Sequence, residues 1–219
     1  MGCDIMKGVV RGANALIEKR ILLLGLDNAG KTSILNVFQE QQFRSQSVPT
    51  IGLKIEEVYV KDYKLTIWDV GGAATKLWKH YFDSIDGLIF VIDSTDKERI
   101  AKAKDELIRV SKDPQLQHVP YLLMFNKIDL TEERMSLEEL IERMDVGELS
   151  ADRVINFQEC SASTAEGIWE GLNTLLEIFE RRDLLRPSVQ VSATSAAAEV
   201  AQDTPQSKNS PSQAVNDMS

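Results

Sequence analysis

Gly25-Leu26-Asp27-Asn28-Ala29-Gly30-Lys31-Thr32-Ser33 is the stretch of this chain best suited to chemistry. Gly25 to Thr32 fits G-x-x-x-x-G-K-[ST], the spacing of a phosphate-binding loop. A polyphosphate packs negative charge into a small volume. Backbone N–H groups of a tight turn can converge on it, and glycines let the chain come close. Lys31 is placed to neutralise the β- and γ-phosphates, and the Thr32 hydroxyl is a hard oxygen ligand suited to Mg²⁺. Asp27, Asn28, Ala29, Gly30 and Ser33 complete the nucleotide-lining set. The competing reading is a plain glycine turn before a helix. The flanks decide against it: Arg20-Ile21-Leu22-Leu23-Leu24 reads as a buried strand, and Ile34-Leu35-Asn36-Val37-Phe38 has helical apolar spacing.

Three further groups extend this chemistry. Trp68-Asp69-Val70-Gly71-Gly72 ends a strand in a carboxylate that can hold Mg²⁺ through water, and Gly72 can offer its N–H to a γ-phosphate because a bare backbone approaches closely. The polar run Phe43–Gly52 reads as a loop, with Thr50 after Pro49 able to complete the Mg²⁺ shell. Alone, Thr50 would read as a turn residue. Asn126-Lys127-Ile128-Asp129 follows the apolar run Pro120–Phe125. There the Asp129 carboxylate can accept hydrogen bonds from guanine N1–H and the 2-amino group, a pattern adenine lacks. The Lys127 stem can lie along the base, and Asn126 can brace the loops. In Cys160-Ser161-Ala162-Ser163, the Ala162 N–H can meet guanine O6, with Ser161 beside it. Cys160 reads as a buried strand-end residue, and His80 and His118 do not read as catalysts.

The elements that must hold these groups alternate between strand and helix. Residues 53–60 and 63–69 alternate as a hairpin turning at Lys61-Asp62. Asp86–Asp93 is a buried strand. A capping box at Thr95 and Glu98 is expected to open a helix with Ile100, Ala103, Leu107 and Ser111 on one face. Ser136 and Glu139 cap a shorter helix that turns Leu137, Leu140, Ile141 and Met144 inward. Val154–Phe157 is a sixth strand. Ser163 and Glu166 are expected to cap a last helix carrying Ile168, Trp169, Leu172, Leu175, Leu176 and Phe179.

Bulk properties bound the rest. With 43% hydrophobic residues the chain can build a full core, and a net charge of -9 argues against a nucleic-acid partner. No apolar run approaches membrane-spanning length, and residues 1–20 lack the long apolar core of a secretory signal. Cys3 and Cys160 are far apart, so a reducing, cytosolic setting is expected. Residues 1–19 form a separate segment, with Ile5, Met6, Val9, Val10, Ala13, Leu16 and Ile17 on one helical face. It reads either as a helix lying on the domain or as one lying in a membrane interface. Gly2 would be N-terminal after Met removal, as N-myristoylation needs, although Met6 stands where that motif prefers Ser or Thr. Cys3 can take a palmitoyl chain or stay an unmodified thiol. Residues 20–186 form the nucleotide-binding domain. Residues 187–219 are rich in Ser, Ala, Gln, Asn and Pro, and read as a disordered tail.

Taken together, the phosphate loop, Pro49-Thr50-Ile51-Gly52, Trp68-Asp69-Val70-Gly71-Gly72, Leu77-Trp78-Lys79-His80-Tyr81-Phe82, Asn126-Lys127-Ile128-Asp129 and Ser161-Ala162 resemble the Arf/Arl branch of Ras-like small GTPases over residues 1–185. The resemblance implies an α/β P-loop NTPase fold: a Ras-like G domain with a six-stranded, mostly parallel sheet flanked by helices, plus an N-terminal amphipathic helix. It implies GTP/GDP and Mg²⁺ as ligands, and switch loops near 43–53 and 70–83. It also implies that the 53–69 hairpin slides on activation and sends the N-terminal helix to a membrane. Expected partners are an exchange factor, a GAP, effector proteins and a membrane surface, for a monomer in vesicle-trafficking roles. Two departures bear on hydrolysis. Ala73 stands where the family usually has the Gln that orients the attacking water, and only Ala73-Ala74-Thr75-Lys76 separate Gly72 from Leu77, a shorter loop than usual. Leu53 replaces a common aromatic in an apolar patch that Trp68 and Tyr81 otherwise keep. The expectation is a GTP-binding switch with slow hydrolysis. The alternative is a non-hydrolysing GTP-bound scaffold; a P-loop kinase fits less well, for want of a lid and an arginine cluster.

Overall fold

The computed structural model describes residues 16–39, 50–73, 75–151 and 153–185. The helical reading of residues 2–15 with Gly2 and Cys3, the loop 43–49 and the tail 187–219 lie outside the described residues. Six strands form one sheet: β1 (Ile17–Leu24), β2 (Leu53–Val60), β3 (Tyr63–Val70), β4 (Gly87–Asp93), β5 (Tyr121–Asn126) and β6 (Ile155–Glu159), in the order β2-β3-β1-β4-β5-β6. Among the described residues only the β2–β3 pair is antiparallel; its turn is Lys61-Asp62, with Lys61 at φ 51°. β4 and β5 are buried along their whole lengths, as expected of central strands covered on both faces.

Because successive side chains of a strand point to opposite faces, each apolar run feeds two cores. Ile21, Leu23, Ile89, Val91, Leu122 and Met124 pack under α1 (Lys31–Phe38) and α5 (Ile168–Leu185). Leu22, Leu24, Phe90, Ile92, Leu123 and Phe125 pack under α2 (Ile100–Ser111), α3 (Leu137–Arg143), α4 (Val146–Leu149) and a 3-10 helix, Thr75–Tyr81. Fully burying one such side chain is worth roughly 1.5–3 kcal/mol, so the two layers fix the sheet firmly.

Three local expectations are corrected. β1 begins at Ile17, so Ile17 and Lys19 belong to a strand rather than the N-terminal helix. Their backbone pairs with Tyr63 and Leu65, and the Ile17 N–H donates to the Asp62 carbonyl at 2.8 Å. Thr95 and Glu98 form no capping box: Asp93 takes both the Thr95 hydroxyl (2.7 Å) and N–H (3.0 Å), and α2 starts only at Ile100. Ser163 and Glu166 do not cap α5 either. The Ser161 hydroxyl accepts from the Ser163 and Thr164 N–H groups, and the helix opens at Ile168, after Gly167 at φ 70°. The Ser136 cap is as expected, with its hydroxyl accepting from the Glu139 N–H.

Parallel strands place their C-terminal ends on one edge. β1 runs there into Gly25, β3 into Gly71-Gly72, β4 ends at Asp93, β5 at Asn126, and β6 leads to Ser161. In an open α/β sheet this edge is where ligands sit.

Candidate functional site

The loop between β1 and α1 is built to be bare. Gly25 has φ 142°, and a Cβ there would lie 2.3 Å from the Val91 carbonyl oxygen; Gly30 has φ 99°, and a Cβ there would lie 2.2 Å from Asn126 Nδ2. Gly30 is the N-cap of α1 and offers no capping side chain. No N-cap side chain therefore occupies the first-turn N–H groups, which leaves them available to an anion. Lys31 is only 6% exposed, and its Nζ donates to the carbonyls of Gly25 (2.9 Å) and Leu26 (3.0 Å). Burial lowers the Lys31 pKa, against the opposing pull of Asp69 and Asp27. Both of those hydrogen-bond acceptors are neutral, so a phosphate would supply the counter-charge this buried ammonium lacks.

Beside Lys31, three side chains from three segments converge. Thr32 Oγ1 donates to Asp69 Oδ2 at 2.6 Å and lies 2.8 Å from Thr50 Oγ1, while Thr50 Oγ1 is 3.4 Å from the same carboxylate oxygen. Asp69 is fully buried, its Oδ1 has no hydrogen-bond partner among the described residues, and burial raises its pKa. An orphaned carboxylate oxygen with two hydroxyls fits a hard cation. Among the described residues no group of three or more His, Cys, Asp and Glu side chains gathers as a metal cluster. Mg²⁺ suits such a set, because it takes few protein ligands and completes its shell with phosphate oxygens and water.

Two glycines press this corner together. The Gly71 N–H donates to the Gly52 carbonyl at 2.9 Å, and a Cβ on Gly71 would lie 2.4 Å from the Thr50 main-chain oxygen. A Cβ on Gly72 would lie 2.2 Å from the Asp27 nitrogen and 2.4 Å from the Leu26 carbonyl carbon. Trp78 of the 3-10 helix is fully buried and donates from Nε1 to the Gly71 carbonyl at 3.1 Å.

The base-side loops are cross-braced. Asn126 Nδ2 donates to the Ala29 carbonyl (2.8 Å), and its Oδ1 accepts the Ala162 N–H (3.0 Å). Asn126 thus does the bracing expected of it. The Ala162 N–H, expected to face guanine O6, is engaged by Asn126 in this structure, because the loop between β6 and α5 folds back against the end of β5. Lys127 takes φ 72° and sets its Nζ 2.5 Å from Asp93 Oδ2. Asp129 Oδ1 accepts the Ser161 hydroxyl at 2.7 Å. Cys160 is buried, and burial pushes its thiol pKa up, the opposite of an activated nucleophile.

Several residues at the site carry no sequence signal of their own. Arg99 reaches Asp27 across 72 positions. Thr75 Oγ1 donates to Glu106 Oε1 (2.7 Å) and its carbonyl accepts from Arg109 Nη2 (2.8 Å), tying the short loop to α2. Ala73 and His80 are exposed. Ile51 is 95% and Leu77 51% exposed, while Leu53, Trp68 and Tyr81 are half-buried, the latter two in edge-to-face contact at 6.2 Å. No helix among the described residues is long and apolar enough to cross a membrane.

The comparisons agree with this arrangement. A solved structure of the Arl6 (BBS3) small GTPase from Trypanosoma brucei, with bound nucleotide analogue GppNp, superposes with a TM-score of 0.69 at 29% identity, covering 75% of this chain and 99% of that one. A family model described as the ADP-ribosylation factor family matches residues 7–179. With the phosphate loop, the Thr32–Thr50–Asp69 cluster and the Asn126 brace all in one place on that fold, the chain belongs to the ADP-ribosylation factor family of small GTPases.

Proposed function

We propose that this protein is a guanine-nucleotide switch that binds GDP and GTP with Mg²⁺, hydrolyses GTP slowly, and recruits effectors at a membrane while the triphosphate is bound. The observation that carries the reading is the meeting of Thr50 with Thr32 and Asp69. Thr50 comes from a separate segment, drawn to this corner by the Gly71–Gly52 backbone hydrogen bond, and it sets a hydroxyl beside a buried carboxylate. A bound ion and terminal phosphate would hold it there, and their loss would release it.

In this reading Gly25–Ser33 wraps the phosphates, Lys31 faces the β- and γ-groups, and Gly72 offers its N–H to the terminal one. Thr32 and Thr50 would hold the ion directly, and Asp69 would hold it through water. When bound, the ion neutralises charge developing on the phosphate oxygens. Asp129 reads the base while Ser161 orients its carboxylate; Lys127 and Asn126 shape that pocket. At position 73 a methyl group cannot orient water, which supports slow intrinsic cleavage. A GAP would supply in trans what Ala73 lacks. The exposed Ile51 and Leu77, with Leu53, Trp68 and Tyr81, support an effector-facing patch. Gly2 and Cys3 would carry the membrane anchor of a cytosolic protein that associates reversibly.

A second reading, a scaffold that keeps GTP without cleaving it, is supported by the tether of Thr75 to Glu106 and Arg109, which ties down the short loop. Single-turnover GTP cleavage separates the two. Slow conversion to GDP supports the switch, and GTP persisting over days supports the scaffold. Purified protein that takes up neither nucleotide in Mg²⁺ ends both. Liposome binding of lipid-modified protein, compared between its GDP and GTP forms, tests the membrane half.

A further inference from the structure

One charged side chain at the phosphate loop has no place in the account above. Arg99, at the N-terminal boundary of α2, sets Nη1 3.2 Å from Asp27 Oδ1 and donates from Nη2 to the Asp27 main-chain oxygen at 3.3 Å. The guanidinium is aimed before it reaches the loop. Its Nε donates to Asp96 Oδ2 at 2.6 Å, and the Arg99 N–H donates to Asp96 Oδ1 at 2.9 Å. A planar fork held along one edge and used along the other is a geometry that lysine cannot reproduce.

Asp27 is where this matters. Its backbone nitrogen is the atom nearest to a Cβ built on Gly72, so Asp27 marks the point where the loop meets the glycine read as serving the terminal phosphate. A carboxylate on this residue would repel a triphosphate more than a diphosphate. Lys31 hydrogen-bonds to Gly25 and Leu26 and pulls on Asp27 only through space, whereas Arg99 contacts the Asp27 carboxylate directly.

We infer that Arg99 is a positioning residue that masks the Asp27 charge and fixes the Asp27 main chain, and that this ion pair sets the preference of the loop for GTP over GDP. The inference rests on the reading that the loop holds guanine nucleotide with its terminal phosphate at Gly72. The side chains of Arg99 and Asp27 are 34% and 43% exposed, so water and salt screen the pair and the effect is moderate.

The test is the ratio of GppNp to GDP affinity, measured on the full chain in saturating Mg²⁺ by displacement of a fluorescent nucleotide. Arg99→Ala lowers that ratio about tenfold, by exposing the terminal phosphate to an unmasked carboxylate. Asp27→Asn moves it the other way, by about threefold or more, because Arg99 then stands uncompensated. The double variant returns to within about threefold of the parent, and Arg99→Lys recovers only part of the loss. Raising salt shrinks the Arg99→Ala effect, which a merely structural role would not do. If Arg99→Ala fails to fold, the sign of the Asp27→Asn shift decides. An unchanged ratio in both single variants, or an equal loss of both nucleotides that Asp27→Asn does not relieve, overturns the inference. A parent protein that binds neither nucleotide instead ends the guanine reading itself.

Discussion

Asn126 links two loops that lie far apart in the chain: its Nδ2 donates to the Ala29 carbonyl at 2.8 Å while its Oδ1 accepts the Ala162 N–H at 3.0 Å. The side chain is 2% exposed, so neither partner can turn to water if it is lost. The phosphate loop and the base-side loop therefore share one strut, and Gly30 must be bare for that strut to pass.

Asn126→Ala strands a buried carbonyl and a buried N–H, each costing about 1–3 kcal/mol. Stop-flow release of a fluorescent guanine nucleotide should speed up by roughly two orders of magnitude, with the fold retained. An unchanged release rate would mean that the brace does not serve the ligand.

How much of this was readable in the chain depends on the range over which each signal acts. The phosphate loop, Asp69 and Asn126-Lys127-Ile128-Asp129 were legible because fixed short spacings carry them, and the buried runs of β4 and β5 because a covered strand must be apolar throughout. The contact of Arg99 with Asp27, and that of Thr75 with Glu106, were not legible. Each joins residues whose meeting is decided only when α2 docks on the sheet. The Thr95 and Glu98 pattern failed for a related reason. Asp93, delivered by the end of β4, captured the hydroxyl that a helix start would have used. The Ala162 N–H was read from the loop alone as meeting the base, and its hydrogen bond to the Asn126 side-chain oxygen, from another strand end, was not legible there.

The converging hydroxyls can be separated from the rest of the nucleotide site. Thr32→Ala removes one oxygen at 2.6 Å from Asp69 and leaves the loop backbone intact. Mg²⁺ titrated against the GTP-loaded variant should show at least about tenfold weaker affinity, while nucleotide retention in excess EDTA stays near that of the parent. Equal Mg²⁺ affinity in the two proteins would remove Thr32 from the metal shell.

Tyr121 makes an alkaline limb of stability that can be measured without any ligand. The ring is fully buried, its hydroxyl finds no hydrogen-bond partner among the described residues, and Arg153 lies over its face at 4.9 Å. Burial raises the phenol to about 12 from an ordinary 10, against the opposing charge of Arg153. The folded value is the higher one, so the contribution is fully present below pH 10. It is lost as pH rises through the window up to about 12, at no more than about 1.4 kcal/mol per unit. Tyr121→Phe should be close to neutral at pH 8, because it removes an unpaired hydroxyl, and should flatten the fall in denaturant midpoint above pH 10. A limb of the same steepness in Tyr121→Phe would show that other groups create it.

Restoring glutamine at position 73 tests whether chemistry or loop geometry limits cleavage. Ala73 lies exposed between Gly72, which is pressed on Asp27, and Thr75, which is held to Glu106 and Arg109. With both anchors in place, a glutamine side chain has little freedom to search for a water in front of a terminal phosphate. Ala73→Gln alone should therefore raise single-turnover GTP cleavage by about tenfold or less, short of the 10²–10⁴ that well-placed proton-transfer catalysis typically gives. Adding Thr75→Ala frees the loop from Glu106 and should give a further gain that neither change predicts alone, the sign of coupled sites. If Ala73→Gln by itself reaches the full enhancement, the Thr75 tether does not restrain the loop, and the missing amide is the whole defect.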